Sequence, residues 1–203
     1  MKDKLVKVVQ THQFAYWGPY LICVDMDPVF CKKLLKQSKS LKVKHNKHLA
    51  GQIRHERLFD WKKNPWIQEG LQVYIDTWIE GFKHFTQKFD FNPNPKITSL
   101  WVNHQKAGEY NPVHIHTGAD LSFVIWLKVP KEILREPRPT TAVPPGWISF
   151  VYGEHHWASN SAKHFEPHEN KMLIFPASLR HEVMSFKSKV TRISVAGNIS
   201  LFK

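Results

Sequence analysis

A chain of 203 residues can bury one well-packed core, and 42% hydrophobic residues with 8 Trp, 13 Phe and 5 Tyr supply the material for it. No run approaches the roughly 18 consecutive apolar residues of a transmembrane helix, and two cysteines, Cys23 and Cys31, exclude a disulfide framework or a CxxC metal knuckle. Lys+Arg 29 against Asp+Glu 17 leaves +12, which favours acidic partners, nucleic acid or anionic surfaces, or simply solubility.

The chain opens on a basic stretch, Met1 to Val9. No long apolar core or small-residue cleavage site follows, so no secretion signal and a reducing, cytoplasmic compartment are expected. Asp27-Pro28 reads as an N-cap followed by proline in the first helical position, opening a helix to about Lys39 with Val29, Phe30, Leu34 and Leu35 on its apolar face. The charge concentrates from Lys32 to Lys47, with Lys62, Lys63, Lys83 and Lys88 beyond. Asn64-Pro65 repeats the start signal. Ile67, Leu71, Tyr74, Ile75, Trp78, Phe82 and Phe85 then recur at helical spacing, which predicts a helix from Pro65 to Lys88 packed on a sheet.

Phe91-Asn-Pro-Asn-Pro95 ends the helical half. Strand-like runs follow at Ile97–Val102, Asn111–His116, Leu121–Val129, Trp147–Tyr152, Lys171–Phe175, Glu182–Ser185 and Thr191–Ile199. Lys106-Ala-Gly-Glu and Thr117-Gly-Ala-Asp are turns. Many short strands after helices point to an α+β protein, a sandwich or barrel with helices on one sheet. The expectation is a single domain, 1–203, with residues 1–95 as a helical flank and 96–203 as the core. Pro137 to Pro145 is a Pro-rich loop, and the polar, His-rich stretch Gly153 to Asn170 is the candidate mobile lid or substrate loop.

Of the 13 histidines, His12, His45, His48, His55 and His84 fall in the basic half and His104 has no legible partner. His155, His156, His164 and His168 match no tight metal spacing. His114-Ile-His116 differs, because residues i and i+2 of a strand project from one face. Both rings could hold a metal, or one could pack in the core while the other is exposed. His181 follows an apolar strand and a turn, where a side chain can re-enter the same mouth. Arg192 lies inside an otherwise apolar strand and shares a face with Ser194. A buried cation needs a partner, either an acid such as Glu182 or a bound carboxylate with Ser194 donating a second hydrogen bond. His181, 11 residues upstream, favours the bound carboxylate.

Trp101-Val-Asn103, Gly108-x-x-Asn111-Pro-Val-His114-Ile-His116, Leu121-Ser122, Phe175-Pro-Ala-Ser-Leu-Arg-His181-x-Val and Arg192-Ile-Ser194-x-x-x-Asn198-Ile together resemble small Fe(II)/2-oxoglutarate-dependent oxygenases of bacteria and tailed phages, over roughly residues 97 to 200. Leu173-Ile-Phe175 with His181-Glu-Val is also similar to the aspartyl/asparaginyl β-hydroxylases. The resemblance implies a double-stranded β-helix (jelly-roll) barrel flanked by N-terminal helices, with a cytoplasmic location, in the host if phage-encoded. It implies Fe(2+) held by a first His, a second ligand and the distal His, and it makes 2-oxoglutarate and dioxygen the cosubstrates. Where the family pattern has His-x-Asp/Glu this chain has His114-Ile-His116. Three ligand sets stay open. His116 takes the carboxylate place beside His114 and His181; or His116 is the first ligand, with Gly118 in place of the acid; or Asp120 supplies a carboxylate. Arg192 and Ser194 are implied to bind the distal carboxylate of 2-oxoglutarate, with Asn103 and Ser122 as further cosubstrate contacts.

The implied activity is a dioxygenase, a hydroxylase that couples decarboxylation of 2-oxoglutarate to oxidation of a protein side chain, a nucleotide or a small metabolite. Two other readings compete. One is a cupin-like binding protein with a vestigial metal site. The other is nucleic-acid binding through the basic half, which would show steep salt dependence.

Overall fold

The computed structural model describes residues 18–202 apart from Pro139 and Thr141. The basic stretch Met1 to Val9 and His12 lie outside the described residues, as do those two positions of the Pro-rich loop. In chain order the elements are β1 (Ile22–Asp25), α1 (Pro28–Ser38), β2 (Glu56–Leu58), α2 (Pro65–Thr86), β3 (Lys96–Lys106), β4 (Asn111–His114), β5 (Leu121–Lys128), α3 (Lys131–Leu134), β6 (Ile148–Val151), β7 (Ala162–Phe165), β8 (Lys171–Pro176), β9 (Arg180–Val183) and β10 (Thr191–Ser200). The strands form a six-stranded sheet, β1-β8-β5-β10-β3-β2, and a four-stranded sheet, β4-β9-β6-β7. Every ladder is antiparallel.

Both long helices start as their sequence demands. Asp27 accepts a hydrogen bond from Val29 N at 2.9 Å, and Pro28 follows it. Asn64 precedes Pro65, but its side chain donates to the Asp60 carbonyl instead of capping the helix. α2 stops at Gln87, whose φ of 58° leaves the helical region while its N–H still bonds the Lys83 carbonyl. Ile67, Leu71, Ile75 and Trp78 are buried as the stripe predicts, with Ile79 added, while Phe85 is exposed at the edge. On α1 the buried positions are Cys31, Leu34 and Ser38. Val29, expected on the apolar face, is 72% exposed because it sits in the first turn, beyond the reach of the sheet.

The central strand β5 is apolar on both faces, as its run of Leu121 to Leu127 requires. Phe123, Ile125 and Leu127 join the helices in one cluster, together with Val102, Ile174 and Val195. Val124 and Trp126 face the other way, against Phe150 and Val183 of the small sheet. The molecule is therefore layered as helices, large sheet and small sheet.

The strands lie in two separate antiparallel sheets, and the expected jelly-roll barrel is not seen as a closed barrel among the described residues. Two expectations are corrected. Residues 1–95 are not purely helical, since β1 and β2 complete the two flanks of the large sheet. The stretch Gly153 to Asn170 is not one loose lid, because Ala162–Phe165 pairs with β6 and Asn170 N donates to the Trp126 carbonyl. The open side between β2 and β4 is covered by the residues before β2. There Gln52 N donates to the Tyr110 carbonyl at 2.8 Å and Arg54 N to Glu109 Oε1 at 3.1 Å.

Ile75 is fully buried between α2 and the sheet, whereas Val73 on the same helix is 59% exposed. Ile75→Ala is expected to cost roughly 2–5 kcal/mol of unfolding free energy and Val73→Ser less than about 0.5 kcal/mol. Urea denaturation checks both, and equal costs would remove α2 from its assigned packing.

Candidate metal centre

Two strands of the small sheet and the turn after them bring three imidazoles together. His114 ends β4 and pairs directly with His181 on β9. His116 lies two residues past His114, beyond the strand, where its N–H donates to the Ala177 carbonyl at 2.8 Å. Ring centroids are 4.2 Å apart for His114 and His181, 5.2 Å for His114 and His116, and 5.1 Å for His116 and His181. One nitrogen of each lies within 4.8 Å of the other two, and among the described residues this is the one such cluster of His, Cys, Asp and Glu. The histidines of the Gly153 to Asn170 stretch form no second cluster.

Hydrogen bonds fix which nitrogen each ring offers. His114 Nδ1 lies 2.7 Å from the Pro112 carbonyl, His181 Nδ1 2.9 Å from the Leu179 carbonyl, and His116 Nδ1 2.7 Å from Asn198 Oδ1. An oxygen acceptor at Nδ1 holds the proton there and leaves the lone pair on Nε2. Burial lowers the pKa of all three, to about 4 for His116 and about 3 for His181. Three neutral imidazoles with free Nε2 atoms are the donor set that a divalent first-row metal takes, so the residues fit an iron ion.

The large sheet supplies the floor. β10 puts Arg192, Ser194 and Ala196 on its inner face by the two-residue period, and all three line one cavity with the three histidines. Arg192 is 3% exposed. Its Nη1 donates to the Gly146 carbonyl, while Nε is buried with no partner. None of the ion pairs among the described residues includes it, so the expected alternative partner Glu182 is not beside it. Burial lowers its pKa only to about 10, so it stays a cation. Gly146 is required where it stands, since its φ is 75° and a Cβ would meet Ile133 Cγ2 at 2.8 Å.

The remaining sequence candidates separate. Asn103, opposite Ser194 in the β3–β10 register, is 5% exposed, lines the cavity and has an unpartnered Oδ1. Ser122 is fully buried but does not line the cavity; its hydroxyl donates to Asn198 Oδ1 at 2.8 Å. Asp120 is not grouped with the three rings; its Oδ2 accepts from Ser200 Oγ and Leu201 N at the far end of β10. Gly118 is an exposed turn residue with φ 73°. Trp101, stacked on His116 at 5.8 Å, and Ile53 complete the wall. Sequence reading missed both of these and Gly146. Trp101 alone left a signal, as the residue two before Asn103 on the same face.

Glu56, opposite Asn103 on β2, is 1% exposed. Burial first, then the neighbouring Glu109, push its pKa up to about 8, against a hydrogen bond from Asn46 that lowers it. The folded protein thus retains a proton that the unfolded chain releases near pH 4.5. The stability this proton confers is complete below pH 4.5 and is lost as pH rises through 8. Glu56→Gln is expected to flatten that decline. Urea midpoints of both proteins at pH 5 and pH 8 check it, and a variant that declines as steeply as the parent would place the proton elsewhere.

Residues 99–198 match the family model described as "Putative 2OG-Fe(II) oxygenase". Among solved structures, the chain is similar to the viral collagen prolyl hydroxylase of Paramecium Bursaria Chlorella virus-1 in its 2OG complex, with 14% identity and a TM-score of 0.58 over 90% of this chain and 96% of that one. It is similar to a Pseudomonas putida prolyl-4-hydroxylase, with 12% identity and a TM-score of 0.57 over 90% and 93%. An oxidoreductase of the 2OG-Fe(II) oxygenase family from Burkholderia pseudomallei aligns at 17% identity and a TM-score of 0.41 over 61% of this chain, which spans about half (51%) of that one. No curated protein matches the chain. The matched segment runs from β3 to Asn198 and contains all three histidines, Arg192 and Ser194; residues 99–198 therefore carry a 2OG-Fe(II) oxygenase domain, of a family whose cofactors are Fe(II) and 2-oxoglutarate.

Proposed function

We propose that the protein is an Fe(II)- and 2-oxoglutarate-dependent hydroxylase whose iron is held by His114, His116 and His181 through Nε2. In this reading the residues from 96 to 203 form a catalytic core of double-stranded β-helix type. The N-terminal elements serve as its flank, in one domain that works in a reducing, cytoplasmic compartment. Free Cys23 and Cys31 fit that compartment, and no helix among the described residues is long and apolar enough to cross a membrane.

The observation that carries the reading is Arg192, a buried cation without an anion, in the same cavity as three neutral imidazoles. A dicarboxylate meets both needs. Arg192 and Ser194 would hold its distal carboxylate, and the charge-assisted bonds would offset the cost of burying the cation. Asn103 adds an amide to the wall of the same cavity. Bound there, Fe(II) and 2-oxoglutarate supply decarboxylation to succinate and CO2 coupled to oxygen insertion into a C–H bond. Trp126, Phe150, Phe175 and Val183 are buried around the site and keep bulk water from it.

The alternative of a vestigial, purely binding cavity leaves the charge on Arg192 without a purpose, and apolar side chains would fill that space at lower cost. The basic residues of α1, Lys32, Lys33, Lys36 and Lys39, are exposed on the helix layer. They belong to the opposite side of the large sheet from the cavity, so the nucleic-acid reading has no support from the site.

Anaerobic titration of the Fe(II)-loaded protein with 2-oxoglutarate, followed by its visible metal-to-ligand charge-transfer band, tests the assignment. His181→Ala is expected to abolish iron binding. Arg192→Met is expected to leave iron in place and weaken 2-oxoglutarate roughly a hundredfold, the equivalent of about 3 kcal/mol for a lost charge-assisted contact. The same Arg192→Met protein, free of ligand, is expected to be at least as stable to urea as the parent. Wild-type affinities for both ligands in both variants would overturn the site.

A further inference from the structure

His114 and His181 lock their own rings. Each places Nδ1 against the backbone carbonyl two residues earlier, at Pro112 and Leu179, so the acceptor comes with the local chain and no single side-chain substitution removes it. His116 has no such arrangement. It lies beyond the end of β4, and the acceptor at its Nδ1 is a side chain 82 residues away, Asn198 Oδ1 at 2.7 Å. Asn198 continues the series Arg192, Ser194, Ala196 along the inner face of β10 and stands opposite Ser122 on β5. The Ser122 hydroxyl, fully buried, donates to the same oxygen at 2.8 Å. Thr98 Oγ1 donates to the Asn198 backbone carbonyl at 3.3 Å from the other flanking strand. Asn198 is thus held from both sides while its amide oxygen receives two protons.

We propose that Asn198 is the positioning residue of the metal centre: it selects the Nδ1–H tautomer of His116 and aims Nε2 at the point shared with His114 and His181, with Ser122 fixing the orientation of the Asn198 amide. An amide turned the other way would set its N–H groups against the Nδ1–H and leave the Ser122 hydroxyl without this acceptor. With the oxygen inward, the ring has one tautomer and one orientation, which is what a partner behind a metal-bound imidazole provides. The carbonyl is neutral, so the three ligands and this partner add no negative charge to the site. The inference rests on His116 being a ligand, but the tautomer itself is a property of the metal-free protein.

The experiment uses metal-free protein labelled with 15N at histidine, in which long-range proton–nitrogen correlations assign the tautomer of each ring. The parent is expected to show His114, His116 and His181 all protonated at Nδ1. In Asn198→Ala, His116 alone is expected to lose its fixed tautomer, while Asn198→Asp, which keeps an acceptor oxygen in place, restores it. Ser122→Ala is expected to produce a partial loss and serves as the milder variant should Asn198→Ala fold poorly. Titration with Co(II), read by its visible absorption, should show roughly 10- to 100-fold weaker binding in Asn198→Ala and recovery in Asn198→Asp. The proposal is overturned if His116 keeps its tautomer in both Asn198→Ala and Ser122→Ala. It is overturned equally if all three rings change together, since that marks a general loss of packing. If the tautomers follow Asn198 as described but the parent protein binds no Co(II), the metal reading of His116 falls and the positioning of its ring by Asn198 stands.

Discussion

The site is organised around a charge that, among the described residues, has no ion-pair partner. Arg192 is inside the protein, and its guanidinium has one backbone carbonyl for company. Burial lowers its pKa only to about 10, so the group stays charged at neutral pH. A cation in that position costs stability unless an anion compensates it. Under the proposed function a dicarboxylate would relieve that cost, and binding of the cosubstrate would then be coupled to the stability of the core around Arg192. Gly146 is part of the same device, because only a residue without Cβ can bring its carbonyl to Nη1 past Ile133.

The strand that carries Arg192 also organises the layers. β10 is paired on both sides, with β3 and with β5, so its pleat sets the two faces of the large sheet. Ile193, Val195 and Ile199 join the cluster beneath the helices, while the alternate residues, Arg192 to Asn198, face the small sheet. The helices supply none of the residues that line the cavity. Their apolar stripe clamps the outer face of the sheet and so fixes which side of β10 is available for polar groups. A one-residue slip would move every site residue on this strand into the helix core.

The three histidines proposed as metal ligands are held by a different means. Burial keeps the three imidazoles neutral, and hydrogen bonds at Nδ1 direct all three Nε2 atoms inward. Two of those bonds are local and belong to the backbone; the third runs from the segment after β4 to the large sheet. The bond between His116 and Asn198 thus ties the geometry of the centre to β10, while Trp101 stacks on His116 and Phe150 and Phe175 pack against His181.

Contiguous patterns in the chain were sufficient for much of this. The stripe from Ile67 to Trp78 specifies α2, Asp27-Pro28 starts α1, and the apolar runs at β5, β8 and β10 mark strands buried on both faces. The two-residue period by itself puts Arg192 and Ser194 on one face. The short strands β1, β2 and β7 left no such trace, because three or four residues carry too little alternation and owe their conformation to partners far along the chain, as Glu56–Leu58 does to Trp101–Asn103. The surroundings of Asp120 were likewise decided in three dimensions: it bonds Ser200 and Leu201, about 80 residues on, apart from the three rings. Whether Arg192 had an acid beside it, and which oxygen stood behind His116, are questions about groups tens of residues apart. Periodicity is written into neighbouring residues and can be read there; the partner of a buried polar group is fixed only when the sheets close on each other.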